Sequence, residues 1–435
     1  MNKLLEVREF DIITGNVEFK NDIKYKYLES AVFQNLIEFI HEFSGDENNA
    51  DALEFMKISY KRNVGEVVSI QNYVGLIQMK NGQQVQILPK ISFSEGEDSG
   101  NKETKRVFLK MLKSLKDFSS KVFNDASLKV DKMNLYEIFI NMYLQEVRQL
   151  IKRGLKSDYI SQEDNLNYFK GKLLTNQHTR KNIVHKERFY VEYDEFHLNR
   201  VENRIVKATL LKLQQLTSSA ENSKEIRQLL VAFEMVAPSI NYIKDFAKVI
   251  IDRNTKDYEM LMQWSKVFLL NKSFTTFSGE NTSRALLFPM ESVYESYVAQ
   301  QAKKVLGSAG WEVSSQDKGH YLFEEPRKQF ALRPDIVCKK DSRIVIMDTK
   351  WKQLINNERI NYGISQSDMY QMYAYSKKYE TSEIWLLYPV TDEMRGNDDI
   401  SFDSGDGTKV NVFFVDVSKI EDNLSILRDK LEEVK

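Results

Sequence analysis

The 435-residue chain has one cysteine, six prolines, seventeen glycines and no excess of either charge. A single cysteine excludes a disulfide framework, a four-thiolate zinc site and a cysteine-held iron–sulfur cluster, and it points to a reducing compartment. Glycine and proline together are about 5% of the residues, well below the roughly 12% of average usage. That shortage argues against disorder, collagen-like repeats and turn-dense all-β architecture, and it predicts that helix dominates. Lys+Arg 62 against Asp+Glu 63 gives a formal net charge of -1, which rules out a globally basic nucleic-acid-coating protein and an acidic tail protein. Any contact with DNA must come from a local patch. Long apolar runs are missing too. The most apolar ones, Ile344–Met347 and Ile384–Leu387, fall far short of the roughly 20 residues that span a bilayer and have the length of buried strands. The first residues, MNKLLEVREFDIITGNVEF, carry charges every few positions and no apolar core followed by a small-residue cleavage site, so they do not read as a secretion signal. A cytoplasmic protein with no membrane contact is expected. With no sustained heptads and no solenoid-period repeat, the length predicts about two to four ordinary domains at roughly 100–200 residues each.

Three segments emerge, and the expected class is α+β and multidomain. Residues 1–118 hold the clearest hairpin: Val67–Lys80 and Gln83–Lys90 flank Asn81-Gly82, a dipeptide suited to the positive φ angles of a type I′ turn. A small N-terminal β-rich domain follows, then a polar loop over Ser92–Thr104 and a helix over Lys105–Phe118. Residues 119–285 read as mainly helical, with helix-period apolar faces at Leu135–Leu150, Asn199–Leu216, Glu225–Val236 and Tyr258–Leu270. Within them, residues 165–194 form the one basic patch interleaved with aromatics: Lys170, Lys172, Arg180, Lys181, Lys186 and Arg188 among Tyr168, Phe169, Phe189 and Tyr190. Cations there suit phosphates and the rings suit bases, while a partner-protein surface or a solvated loop is as economical. Residues 286–435 alternate in the order α-β-β-β-α-β-β, an α/β domain with a central mixed sheet flanked by helices. Its predicted elements are Met290–Leu306, Trp311–Ser315, Phe330–Lys339, Arg343–Asp348, Asp368–Tyr379, Glu383–Tyr388 and Val410–Val417.

Two of those strands carry the chemistry. Arg333-Pro334-Asp335 stands on one and Met347-Asp348-Thr349-Lys350 closes the other. Alternation along a strand puts Asp348 and Lys350 on one face, roughly 7 Å apart. A buried strand that ends in a carboxylate and an ammonium is costly without partners, and a magnesium or manganese ion supplies a reason, because hard divalent cations take one or two carboxylates with water and phosphate oxygens. Asp335 and Asp348 are the candidate ligands, joined by the Thr349 carbonyl. Lys350 is placed to orient or help deprotonate the attacking water. Glu291 and Glu295 share one helix face at i, i+4, and Glu295 is the better candidate to reach the metal, directly or through water. Gln371 and Tyr375 repeat that spacing on the second helix, where they suit a DNA end or phosphate. Taken singly, Asp348 and Lys350 read as well as a strand-edge ion pair, Glu291 and Glu295 as a solvated face, and Gln371 and Tyr375 as a polar flank. Cys338 reads as a small strand residue and His320 as structural.

In this order, glutamate on a first helix, Pro-Asp, an apolar strand ending Asp-x-Lys, then Gln-x-x-x-Tyr, the residues resemble the PD-(D/E)xK nuclease superfamily. The chain also resembles the McrC family, the nuclease subunit of the McrBC modification-dependent restriction system. Three stretches carry that likeness: Tyr73-Val74-Gly75-Leu76-Ile77 with Gln86-Ile87-Leu88-Pro89-Lys90-Ile91; Phe288-Pro289-Met290-Glu291 through Tyr294-Glu295-Ser296-Tyr297-Val298; and Arg333-Pro334-Asp335 with Asp348-Thr349-Lys350-Trp351-Lys352. The resemblance implies a magnesium-dependent endonuclease acting on double-stranded DNA. It also implies a separate AAA+ GTPase of McrB type that holds DNA and uses the GTP, with docking and stimulation through this chain's N-terminal region. No GxxxxGK[ST] phosphate loop occurs in the sequence. Two other readings stay open: a non-cleaving adaptor that keeps the fold and only activates the GTPase, and a RecB-like repair exonuclease.

Overall fold

A computed structural model describes residues 4–44, 55–79, 83–91, 101–115, 134–270, 284–397 and 400–433. The Asn81-Gly82 turn lies outside them. Two compact units result: residues 1–119 with 274–435, and residues 120–273.

The first unit begins with β1 (Leu4–Arg8), β2 (Ile12–Thr14), β3 (Tyr25–Tyr27), helix α1 (Ser30–Ser44), β4 (Met56–Lys61), β5 (Gly65–Ile70), β6 (Tyr73–Gln78), β7 (Gln84–Leu88) and α2 (Asn101–Leu112). The helix expected from Lys105 starts at Asn101, and residues 92–100 of the predicted polar loop lie outside the described residues. Two four-stranded sheets form, ordered β3-β2-β5-β4 and β1-β7-β6-β11. Leu36, Ile37 and Ile40 of α1 pack into one apolar cluster with Val68, Ile77, Val85 and Ile87.

The second unit holds α3 (Leu135–Arg153), β8 (Asp158–Leu166), β9 (Lys172–Leu173), α4 (Thr175–Lys181), β10 (Phe189–His197), α5 (Val201–Leu216), α6 (Ala220–Val231), α7 (Tyr242–Phe246) and α8 (Glu259–Leu270). It is not helical throughout. The basic stretch contributes to a three-stranded antiparallel sheet ordered β8-β10-β9.

The chain returns to the first unit with β11 (Arg284–Pro289), α9 (Met290–Ser308), β12 (Glu312–Ser315), β13 (Tyr321–Phe323), β14 (Gln329–Ala331), β15 (Ile336–Lys340), β16 (Arg343–Thr349), α10 (Gln366–Tyr379), β17 (Glu383–Pro389), β18 (Ser401–Asp403), β19 (Lys409–Val415) and α11 (Ile420–Glu433). Strand β11 pairs antiparallel with β6, so the segment leading into α9 is built into the N-terminal sheet. The pairing is close: a Cβ on Gly75 would stand 1.9 Å from the Leu286 carbonyl oxygen, and only glycine admits that approach.

The six-stranded sheet runs β12-β15-β16-β17-β19-β18. Strands β16, β17 and β19 are parallel, and the others pair antiparallel. Met372, Tyr375 and Tyr379 of α10 cover Val337, Ile346, Ile384 and Leu386, while α9 and α11 pack together and against β16 and β19. The single predicted strand Phe330–Lys339 divides into β14 and β15 at Arg333-Pro334-Asp335, because proline cannot donate into a ladder. Strands are more numerous than low glycine and proline predict. Several turns use non-glycine residues at positive φ, among them Asn63, Asp341 and Asn361, types that tolerate the left-handed region. No helix among the described residues is long and apolar enough to cross a membrane.

Candidate active site

Strand polarity gathers the candidate residues at one rim of the six-stranded sheet. Because β15 runs against β16, with Ile336 opposite Met347, the start of β15 and the end of β16 coincide. Asp335 just precedes β15. Its Oδ2 accepts the backbone N–H of Thr349 at 2.7 Å and the Thr349 hydroxyl at 2.6 Å, which locks it to the last residue of β16. Thr349 therefore anchors an aspartate through its N–H and hydroxyl, a role that its carbonyl-ligand reading missed.

Asp348 is 1% exposed. Its Oδ2 lies 2.5 Å from the Lys350 ammonium in a close ion pair, and that ammonium is its one polar contact among the described residues. Lys350 Nζ also donates to Gln371 Oε1 at 3.2 Å, and Gln371 Nε2 donates to the Tyr375 hydroxyl at 2.7 Å. Asp348, Lys350, Gln371 and Tyr375 thus form one chain of contacts, as strand alternation and helical spacing predict.

Burial first, and the charge of Asp335 second, push the Asp348 carboxyl up to about 7. Burial likewise raises Asp335, against the Thr349 bonds that favour its ionised form. Burial works against the charge of Lys350, yet Asp348, Asp335 and Asp368 outweigh it and its pKa rises. The lysine is held cationic between acids. Glu295 is raised by burial and by Asp335, and its Oε1 accepts from Gln316 Nε2 at 2.8 Å. The backbone N–H of Gln316 donates to the Asp335 carbonyl at 3.0 Å, so Gln316, which the sequence did not single out, ties the α9 carboxylate to the Asp335 backbone. Glu291 accepts from Asn72 of the N-terminal segment at 3.2 Å. Among the described residues no three His, Cys, Asp or Glu side chains group closely enough to hold a metal.

Beside Lys350, Trp351 is 3% exposed and packs on Tyr294 with ring centroids 5.2 Å apart. Lys352 pairs with Asp368 at 2.9 Å. Cys338 is buried in β15, and burial pushes its thiol up to about 12, which makes it a packing residue. The His320 ring packs against that of Tyr379, tilted by 45° with centroids 4.0 Å apart.

The basic stretch belongs to the other compact unit. There Lys170 Nζ lies 3.9 Å from the Tyr193 ring centroid and Lys181 Nζ 4.2 Å from that of Tyr190. Lys172, Arg180, Lys186 and Arg188 are exposed, as are Tyr168 and Phe169.

Comparison with known proteins gives a concordant set of likenesses. The family described as McrBC 5-methylcytosine restriction system component matches residues 68–389. The chain is 24% identical over 283 residues to the Escherichia coli (strain K12) type IV methyl-directed restriction enzyme EcoKMcrBC, covering 60% of this chain and 78% of that one. Among solved structures, the half-complex from a tetradecameric assembly of Thermococcus gammatolerans McrB AAA+ hexamers with bound McrC contains a chain of the same fold. That likeness has a TM-score of 0.70 and 21% identity, and covers 100% of both chains. A Thermococcus gammatolerans McrBC complex gives a TM-score of 0.51 at 20% identity, over 70% of this chain and 88% of that one.

Proposed function

The chain belongs to the McrBC 5-methylcytosine restriction system component family, and from that premise we propose that it is the DNA-cleaving subunit of a GTP-dependent restriction complex. It hydrolyses phosphodiester bonds of double-stranded DNA with magnesium, on a PD-(D/E)xK nuclease domain, and works with a separate AAA+ GTPase of the McrB type. One observation carries the nuclease reading: two aspartates meet at adjacent strand ends, where burial and the charge of Asp335 push the buried Asp348 carboxyl up to about 7 while a lysine ammonium sits 2.5 Å from it.

Such a pair is unstable in its ionised form without a cation, and its donors are all oxygen, the set that hard divalent ions prefer. Asp335 and Asp348 would hold magnesium or manganese, with the Thr349 carbonyl and with Glu295 through water. When bound, the ion would polarise the phosphate and lower the pKa of a water.

The remaining steps belong to side chains. Thr349 fixes the Asp335 carboxylate through two hydrogen bonds. Lys350, with a raised pKa, stays protonated, so it orients the attacking water and offsets phosphate charge and does not remove a proton. Gln371 holds the Lys350 ammonium, and Tyr375 fixes Gln371. Docking to the GTPase and stimulation of GTP hydrolysis fall to the N-terminal region. Lys170, Lys172, Arg180, Lys181, Lys186 and Arg188 are candidate contacts to the DNA backbone. The full-length likeness to a chain bound to McrB hexamers supports the partnership.

The test is Asp348→Ala and Lys350→Ala in the complex reconstituted with its GTPase. Cleavage should be lost and stimulation of GTP hydrolysis retained. Cleavage at the wild-type rate would overturn the catalytic assignment.

A further inference from the structure

Between β12 and β15 the chain leaves the sheet and returns as a two-stranded antiparallel ribbon, with Tyr321 opposite Ala331 and Phe323 opposite Gln329. Ser315 pairs with Ile336, so the ribbon springs from the rim that carries Asp335. Its base is pinned by the Leu332 N–H on the His320 carbonyl at 2.9 Å and by the ring contact between His320 and Tyr379. Two anomalies meet on it. Phe323 and Phe330 are 55% and 68% exposed, with their rings in edge contact at 5.9 Å. Phe330 also has φ of 56°, in the left-handed region that bulky residues avoid. A lone exposed phenyl needs no explanation. A paired one, held in a strained backbone at the rim of a candidate active site, does.

We propose that this ribbon is a DNA-contacting element that enters the major groove of duplex DNA beside the Asp335–Asp348 site. A two-stranded β-ribbon has the width that groove admits. Phe323 and Phe330 meet sugars and base edges, and Arg327, Lys328 and Arg333 meet flanking phosphates. Lys318, Arg327, Lys328 and Arg333 outnumber Glu324 and Glu325 among the exposed residues. Asp317 is turned to its own surroundings, accepting from the Gly319 N–H and the Tyr379 hydroxyl. Phe330 is five residues from Asp335, a reach of at most about 17 Å, so the rings contact DNA within a few nucleotides of the phosphate being cut. The inference rests on the nuclease reading for the position of the DNA.

The experiment uses full-length protein carrying Asp348→Ala, chelator, and a fluorescein-labelled duplex oligonucleotide followed by anisotropy. Phe323→Ala and Phe330→Asn should each weaken binding roughly ten-fold, within the range for loss of an aromatic contact to bases. Phe330→Asn should leave the melting temperature unchanged or higher, because asparagine adopts left-handed φ at lower cost. Arg327→Gln and Lys328→Gln should each lower the slope of log affinity against log salt by about 1. Equal affinity for all variants overturns the proposal, and so does loss of melting temperature in step with loss of binding. Loss of GTPase stimulation with DNA affinity intact also overturns it and makes the ribbon a protein contact. Because this assay reads affinity and the Asp348 test reads cutting, the ribbon and the catalytic assignment fail separately.

Discussion

Glu9 and Trp351 are 342 positions apart in sequence and joined in the core: the indole Nε1–H donates to both carboxylate oxygens of Glu9, at 3.1 and 3.2 Å. Glu9 is 0% exposed, and its Oε2 also accepts the Lys90 N–H at 3.1 Å. Trp351 follows Lys350 directly, so a carboxyl at the edge of the N-terminal sheet braces the backbone that positions the site lysine.

The same contact gives a pH prediction. Burial, against the Lys90 and Trp351 hydrogen bonds, pushes Glu9 up to about 8 from its ordinary 4.5. A carboxyl with a raised folded-state pKa takes up a proton on folding, so its contribution to stability is complete below about 4.5 and is lost as pH rises through about 8. Glu9→Gln keeps an acceptor without the charge. Urea denaturation from pH 5 to 9 should show the wild type losing stability relative to Glu9→Gln as pH rises, and a constant difference would refute the assignment.

Asp348 gives a second pH dependence, through metal. With its carboxyl pushed up to about 7, the metal-free protein holds a proton there at mildly acidic pH, and an incoming cation must displace it. Magnesium or calcium should therefore raise the melting temperature more at pH 8 than at pH 6, and Asp348→Asn should remove most of that difference. The same gain at both pH values, or one that survives Asp348→Asn, would place the ion elsewhere.

What could be read from the sequence was local. Alternation along β16 put Asp348 beside Lys350, and four-residue spacing put Gln371 beside Tyr375, because both periods are fixed by backbone geometry. Three contacts left no comparable mark: Glu9 on Trp351, Asn72 on Glu291, and Gln316 on Glu295. Each joins separate elements, which only the folded chain brings together. The ribbon was hidden for another reason. Its strands are three residues long, too short for an alternating pattern to rise above chance. The Leu424, Leu427 and Leu431 face of α11 has helical spacing that is legible in the sequence.

Thr349 separates a metal-ligand role from a bracing role. Its hydroxyl donates to Asp335 at 2.6 Å, and a hydrogen bond to a charged group contributes about 1.5–3 kcal/mol. Thr349→Val keeps shape and backbone but removes that donor. Cleavage should fall by about ten- to 100-fold, the usual effect of removing a group that orients a metal ligand, and Thr349→Ser should restore most of it. Equal activity of the valine and serine variants would show that the hydroxyl is idle and that only the backbone acts.

Gly75 tests whether the N-terminal sheet and the C-terminal segment that carries Asp335 and Asp348 fold as one body. The β6–β11 ladder ends at Pro289, where α9 begins, and the Met290 N–H donates to the Asn72 carbonyl at 2.9 Å. A methyl at Gly75, whose φ is 146°, would meet the Leu286 carbonyl oxygen at 1.9 Å, so the ladder must open or shift. Overpacking with backbone strain costs about 2–4 kcal/mol. Gly75→Ala should lower the melting temperature by several degrees. Because β11 delivers Glu291 and Glu295 to the rim, DNA cleavage should fall as well, even at temperatures where the variant is folded. Full cleavage by a folded Gly75→Ala protein would mean that α9 is positioned by the six-stranded sheet alone.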